Sequence, residues 1–92
     1  MVVSIFGRPD CGKCQTTKNK VSHFLSKWGL DEKVGITFHD MSTVDGMAEG
    51  SFHDVIDIPA TILFDGERRI ARWDGKVPES EELRTHLQVA AR

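Results

Sequence analysis

Cys11 and Cys14 are the only cysteines in this 92-residue chain, and two residues separate them in Cys11-Gly12-Lys13-Cys14. Thiols at this spacing can close a reversible disulfide, supply half of a zinc site, or sit inert in a core. Zinc needs about four ligands. No second pair of this spacing exists, and His23, His39, His53 and His86 are scattered with no H-x3-5-H pair. No metal site is therefore expected. A disulfide-stapled secreted scaffold would carry four, six or eight cysteines. A bridge across so short a loop also constrains the unfolded chain little. Burial as small apolar groups is the bland alternative to redox chemistry.

Redox chemistry makes a demand on placement. At the first turn of a helix, orphan N–H groups and the positive dipole end favour a thiolate. Cys11 would stay accessible there and act as the nucleophile on a substrate disulfide. Cys14, one turn in and shielded by packing, would attack the Cys11 sulfur and release the reduced substrate. Lys13 adds a mobile positive charge that tunes Cys11, and Gly12 leaves the backbone free to turn.

The flanking sequence supplies such a placement. Val2 to Phe6 is a short apolar run without alternation, closed by Gly7-Arg8-Pro9-Asp10, as expected of a strand buried on both faces. From Cys14 to Trp28 the period changes. Val21, Phe24, Leu25 and Trp28 fall at i, i+3, i+4 and i+7, which predicts an amphipathic helix closed by Gly29. Trp28 is expected in the core, and His23 toward solvent. Val34 to Met41 reads as a second strand. Val44, Met47, Ala48, Phe52 and Val55 then recur at helical spacing, with Ser42 or Thr43 as the cap. Gly46 and Gly50 each cost about 1 kcal/mol relative to Ala in that helix, so it is expected to be short or irregular.

Ile58 to Phe64 is the third strand, with Pro59 at its start, where a missing N–H is most easily tolerated. Asp65-Gly66-Glu67 is a hairpin signal, and Arg68 to Trp73 returns as a fourth strand that ends before Gly75. The last helix begins between Pro78 and Ser80, with Glu79, Glu81 and Glu82 solvated at its N-terminal end. Leu83, Leu87 and Ala90 form its buried stripe. The order β-α-β-α-β-β-α predicts an α/β fold: a mixed four-stranded sheet flanked by helices on both faces. The cysteine pair then lies at a strand C-terminus and a helix N-terminus, where open α/β sheets commonly hold their chemistry.

Composition sets the outer limits. Residues 1–92 suffice for one domain. Hydrophobic residues at 39% and charged residues at 28% suit a globular protein. A net charge of -2 carries no large basic field, so no nucleic-acid partner is expected. No apolar run approaches the roughly 20 residues of a membrane helix, and Met1 to Phe6 has no basic leader. A cytoplasmic monomer is the expectation, since no exposed apolar patch stands out in the sequence.

The buried first strand, the CxxC at a helix start, Ile58-Pro59-Ala60-Thr61 before an apolar strand, the Asp65-Gly66 hairpin and Gly75 occur in one order. Together they resemble the thioredoxin/glutaredoxin family over nearly the whole chain. The resemblance implies a thioredoxin-like fold, with Cys11 as nucleophile. It also implies that Pro59 is cis and packs beside the redox pair, and that the backbone of Ile58 pairs with an extended substrate. Trp73 would end the last strand near the redox edge, either contacting substrate or packing on the last helix. Gly75 would allow close backbone approach there.

Departures separate the branches of the family. Thioredoxins place Trp before the first cysteine and a buried acid six residues before it, where this chain has Asp10 and Ile5. Asp10 and Asp57 are candidate substitutes for that acid, though each reads more simply as a solvated loop carboxylate. Glutaredoxins hold an aromatic inside the CxxC and Gly-Gly before acids, where this chain has Gly12-Lys13 and Gly75-Lys76. The pocket residues favour a thioredoxin-type reductase of protein disulfides, which needs no cofactor beyond its own cysteine pair. Its electrons would come from an upstream reductase such as thioredoxin reductase. Two rivals stand beside it: a glutathione-dependent glutaredoxin, in which Lys13 pairs with a glutathione carboxylate, and a non-enzymatic redox-sensing or metal-binding module.

Overall fold

A computed structural model describes residues 1–90, with side chains as far as Gln88. The elements run β1 (Val2–Gly7), α1 (Gly12–Lys27), β2 (Gly35–Asp40), α2 (Val44–Phe52), β3 (Ala60–Asp65), β4 (Arg68–Asp74) and α3 (Ser80–Ala90). This is the predicted order. All four strands share one sheet, ordered β2-β1-β3-β4. β1 is parallel to β2, antiparallel to β3, and β3 is antiparallel to β4.

β1 is buried on both sides because its side chains alternate between two cores. Val3 and Ile5 join Val21 and Leu25 of α1 and Leu83 and Leu87 of α3. Phe6 faces the other way, toward Ala60 and Ile62, with Met41, Val55 and Phe64 packed around them. α1 closes as the sequence predicts. Gly29 takes φ +70, its N–H donates to the Ser26 carbonyl, and the Leu30 N–H reaches back to the Leu25 carbonyl. Gly66, at φ +63, turns the β3–β4 hairpin. Four residues past it, Ile70 is inserted as a bulge, since Leu63 pairs with Ala71 but Phe64 pairs with Arg69.

Several expectations need correction. α1 begins at Gly12, with the cysteine pair at its start as expected, but its buried face runs Cys14, Thr17, Val21 and Leu25, with Phe24 and Trp28 only half-buried. β3 begins at Ala60, so Ile58 and Pro59 precede the strand. The largest change concerns α2. It is capped by Thr43, whose hydroxyl accepts from the Gly46 N–H at 3.0 Å, and it ends at Phe52. The residues buried in it are Gly46 and Gly50, while Val44, Met47 and Phe52 are exposed. The cause is close approach. A Cβ on Gly46 would run into the Asp40 carbonyl, and one on Gly50 would lie 2.5 Å from the Met41 Cε. The exposed apolar residues also remove the ground on which a monomer was expected. The burial expected of Ala90 lies outside the described side chains.

Candidate active site

Cys11 is the N-cap of α1, with extended backbone at φ -93 and ψ 114. Its own N–H donates to the Arg8 carbonyl at 3.2 Å, which closes the turn out of β1. Its Sγ accepts from the Cys14 N–H at 3.2 Å, the position a capping oxygen would normally take. The two sulfurs are joined as a disulfide, with Cα atoms 5.2 Å apart. Cys14 is fully buried, Cys11 is half-buried, and Gly12 and Lys13 are exposed. This is the asymmetry the spacing predicts.

Two residues that support the pair did not stand out in the sequence. Gly7 ends β1 directly beneath Cys14, and a Cβ there would lie 2.6 Å from its Sγ and 2.7 Å from its Cβ. Only glycine leaves room for the buried sulfur. Thr17, also fully buried, donates its hydroxyl to the Lys13 carbonyl at 2.8 Å and so ties down the turn that carries Cys14.

The strand register brings the other predicted residues to the same end of the sheet. Ala60 pairs with Phe6 on β1 and with Asp74 on β4, so Pro59 and Gly75 both flank the exit from β1. The Ile58–Pro59 peptide is cis, as the resemblance implies, and Pro59 is buried while Ile58 is half-exposed. Gly75, at φ +69, donates its N–H to the Pro59 carbonyl at 2.8 Å. A Cβ at Gly75 would meet the Asp57 Cβ at 3.2 Å, so the neighbour this glycine accommodates is a side chain of the same loop region.

Trp73 is turned into the fold. Only 3% exposed, it packs edge-on against His86 of α3, and its Nε1–H donates to Glu82 Oε2 at 3.1 Å. Of its two readings, packing on the last helix is the one the structure supports. It also means that Glu82 is engaged rather than simply solvated. Among the described residues no carboxylate is buried in the place of the acid found in thioredoxins. Ile5 is apolar core, Asp10 and Asp57 are exposed, and the buried polar residues among those described are Ser4, Thr17 and Thr61. Thr61, paired with both Ile5 and Trp73, has a buried hydroxyl that finds no hydrogen-bond partner among the described residues.

Charge around the site is organised by Asp40 and Arg72. Asp40 pairs with Gly7 across the sheet. Hydrogen bonds from the Ser42 hydroxyl and N–H hold its carboxyl below the usual range, with a smaller pull from Arg8. Arg72 donates from Nε to both oxygens of Asp74, at 3.0 and 2.9 Å, and from its terminal nitrogens to the His53 and Asp54 carbonyls. It thereby braces the end of α2 against the strand that leads to Gly75. Its guanidinium pKa is raised, chiefly by the bonds to Asp74.

This architecture is the thioredoxin fold. The chain is similar to a structure described as that of a malarial protein, at 16% identity and a TM-score of 0.79, over 99% of this chain and 97% of that one. It is similar to thioredoxin 1 from Thermosipho africanus at 18% identity and a TM-score of 0.76, over the full length of both. Thioredoxin-2, a component of the malaria parasite protein secretion machinery, matches at 17% identity and a TM-score of 0.79, over 96% of this chain and 81% of its own. No protein-family model and no curated protein sequence matches the chain. Identity at this level defines the fold alone, so function has to be argued from the site itself.

Proposed function

We propose that this protein is a thiol–disulfide oxidoreductase of thioredoxin type, which reduces disulfides in other proteins. The observation that carries the reading is the asymmetry of the pair: Cys11 caps the helix within reach of solvent, and Cys14 is sealed behind it. In the reduced protein the Cys14 N–H and the helix dipole act on the Cys11 sulfur and favour its thiolate. That thiolate attacks one sulfur of a substrate disulfide, and the other sulfur leaves as a thiolate that takes a proton from water. Cys14, deprotonated in turn, attacks Cys11 Sγ and expels the second substrate sulfur. Two electrons have then passed to the substrate, and the Cys11–Cys14 disulfide remains. An upstream dithiol reductase, such as thioredoxin reductase, returns the electrons. Ile58, half-exposed before Pro59, offers backbone groups to an extended substrate segment.

Lys13 would stabilise the reduced thiolate and so raise the reduction potential, by about 30 mV for each 1.4 kcal/mol of preference. Being exposed, it contributes only a fraction of that. Lys13→Gln is therefore expected to lower the potential by roughly 10 mV, and an unchanged potential would remove Lys13 from the mechanism.

Glutathione is the competing reductant, because Lys13 is free at the surface beside Cys11. Intact mass after equilibration in graded glutathione buffers separates the two. Loss of two hydrogens without an adduct, persisting under strongly reducing conditions, is expected of the thioredoxin-type reading. A dominant single glutathione adduct would overturn it in favour of a glutaredoxin, and stoichiometric metal on the freshly purified protein would favour a metal-binding module.

A further inference from the structure

We propose that the outer side of α2, with the cavity next to it, docks a cationic segment of a partner protein that carries an apolar anchor. Val44 is 79% exposed, Met47 48% and Phe52 80%, and Ile56, three residues before Pro59, is 90% exposed. Side chains of this kind have no folding reason to face water, because the glycine face of the helix already makes the contact with the sheet. At its C-terminal end this apolar strip runs into a cavity of about 510 Å³ lined by Phe52, His53, Phe64, Gly66 and Glu67. Phe52 belongs to both. The combination is a strip with a socket at one end, the form that seats an anchoring side chain and the residues flanking it.

Charge decides what the occupant is. From Val34 through Glu67 the chain has no Lys or Arg and seven carboxylates. Asp45 and Glu49 alternate with Val44 and Met47 along α2, and Asp54 and Asp57 flank Ile56. The nearest cations each have a position of their own. Arg72 is committed to Asp74, Arg8 acts on Asp40, and Arg69 and Arg68 pair with Phe64 and Asp65 at the hairpin end of the cavity, away from Asp45 and Glu49 on α2. The α2 side of the strip is thus acidic and apolar together, so it repels nucleic acid and anionic lipid and attracts Lys or Arg. A second copy is a poor occupant. Its basic side, Lys13, Lys18, Lys20 and Lys27 on α1, presents no exposed large apolar residue. A foreign segment in which Lys or Arg alternates with Leu or an aromatic meets both requirements.

The test needs no thiol chemistry, so its outcome is separate from that of the redox reading. A fluorescent peptide of Leu and Lys, without cysteine, is titrated against the oxidised wild-type chain. Controls replace its Lys by Glu or its Leu by Ser. Only the Leu/Lys peptide is expected to bind, less tightly as salt is raised, with amide shifts confined to α2 and residues 64–67. Met47→Ser with Phe52→Ser, and separately Asp45→Lys with Glu49→Lys, should each weaken it about tenfold or more. These side chains are exposed, so the variants keep the core. Equal binding of the control peptides, unchanged affinity in the variants, or shifts elsewhere would overturn the proposal. So would a concentration-dependent dimer of the chain alone that Phe52→Ser abolishes, since the face would then belong to a second copy.

Discussion

A methyl group on residue 7 would have to displace Cys14, and Cys14 has little room to withdraw. It is fully buried, and the turn that carries it is held by the Thr17 hydroxyl on the Lys13 carbonyl. Gly7→Ala is therefore expected to destabilise the protein by about 1–3 kcal/mol, the usual cost of overpacking, as measured by urea unfolding. Stability equal to wild type would show that the start of α1 shifts freely, and the packing argument for Gly7 would be lost. The cysteines themselves were legible in the sequence because their chemistry depends on spacing. Gly7 was not, because its role is the absence of atoms beside a residue seven positions away. Trp73 was legible only as a pair of alternatives, since the partners that decide between them, Glu82 and His86, are on another element.

For α2 the sequence misleads through its own periodicity. Val44, Met47, Ala48 and Phe52 do form a stripe at helical spacing, but Gly46 and Gly50 form another, and hydrophobicity gives glycine no weight. The sheet takes the glycine stripe because the helix can then come close enough to touch backbone. This reverses the usual expectation for substitution. Alanine favours a helix over glycine by about 1 kcal/mol, yet Gly46→Ala is expected to lower the urea midpoint, because the atom in the way is the Asp40 backbone carbonyl. Gly50→Ala meets the tip of the Met41 side chain, which can swing aside, and should be near neutral. A stabilised Gly46→Ala would mean that α2 does not sit where the structure puts it. The remaining elements were legible to within a few residues, since β1, α1 and the hairpin have local patterns that agree with their burial.

Across the whole molecule, the second core responds to pH through His39. Its ring stacks on Phe6 at 4.6 Å, and burial holds its pKa below 6.5; Glu49 partly opposes the shift and His53 adds to it. In the unfolded chain the same histidine takes up a proton more readily. As pH falls through 6.5 the unfolded state therefore binds more protons than the folded one, and stability is lost. His39→Phe keeps a ring on Phe6 and is expected to flatten the dependence of the urea midpoint between pH 7.5 and 5.5. An unchanged slope would place the effect elsewhere. Asp40 does not interfere in this window. Its carboxyl is held below 3.8, so its contribution is complete above that value and is lost only as pH falls through its lower folded pKa.

The burial of Cys14 makes the reduced protein its own conformational gauge. A membrane-impermeant alkylating reagent meets one thiol, Cys11, on every folded chain and two on every unfolded chain. Mass spectrometry of a mixed sample then sorts molecules into singly and doubly tagged populations. The ratio counts folded against unfolded copies, one molecule at a time, without a dye, a tag or an engineered cysteine.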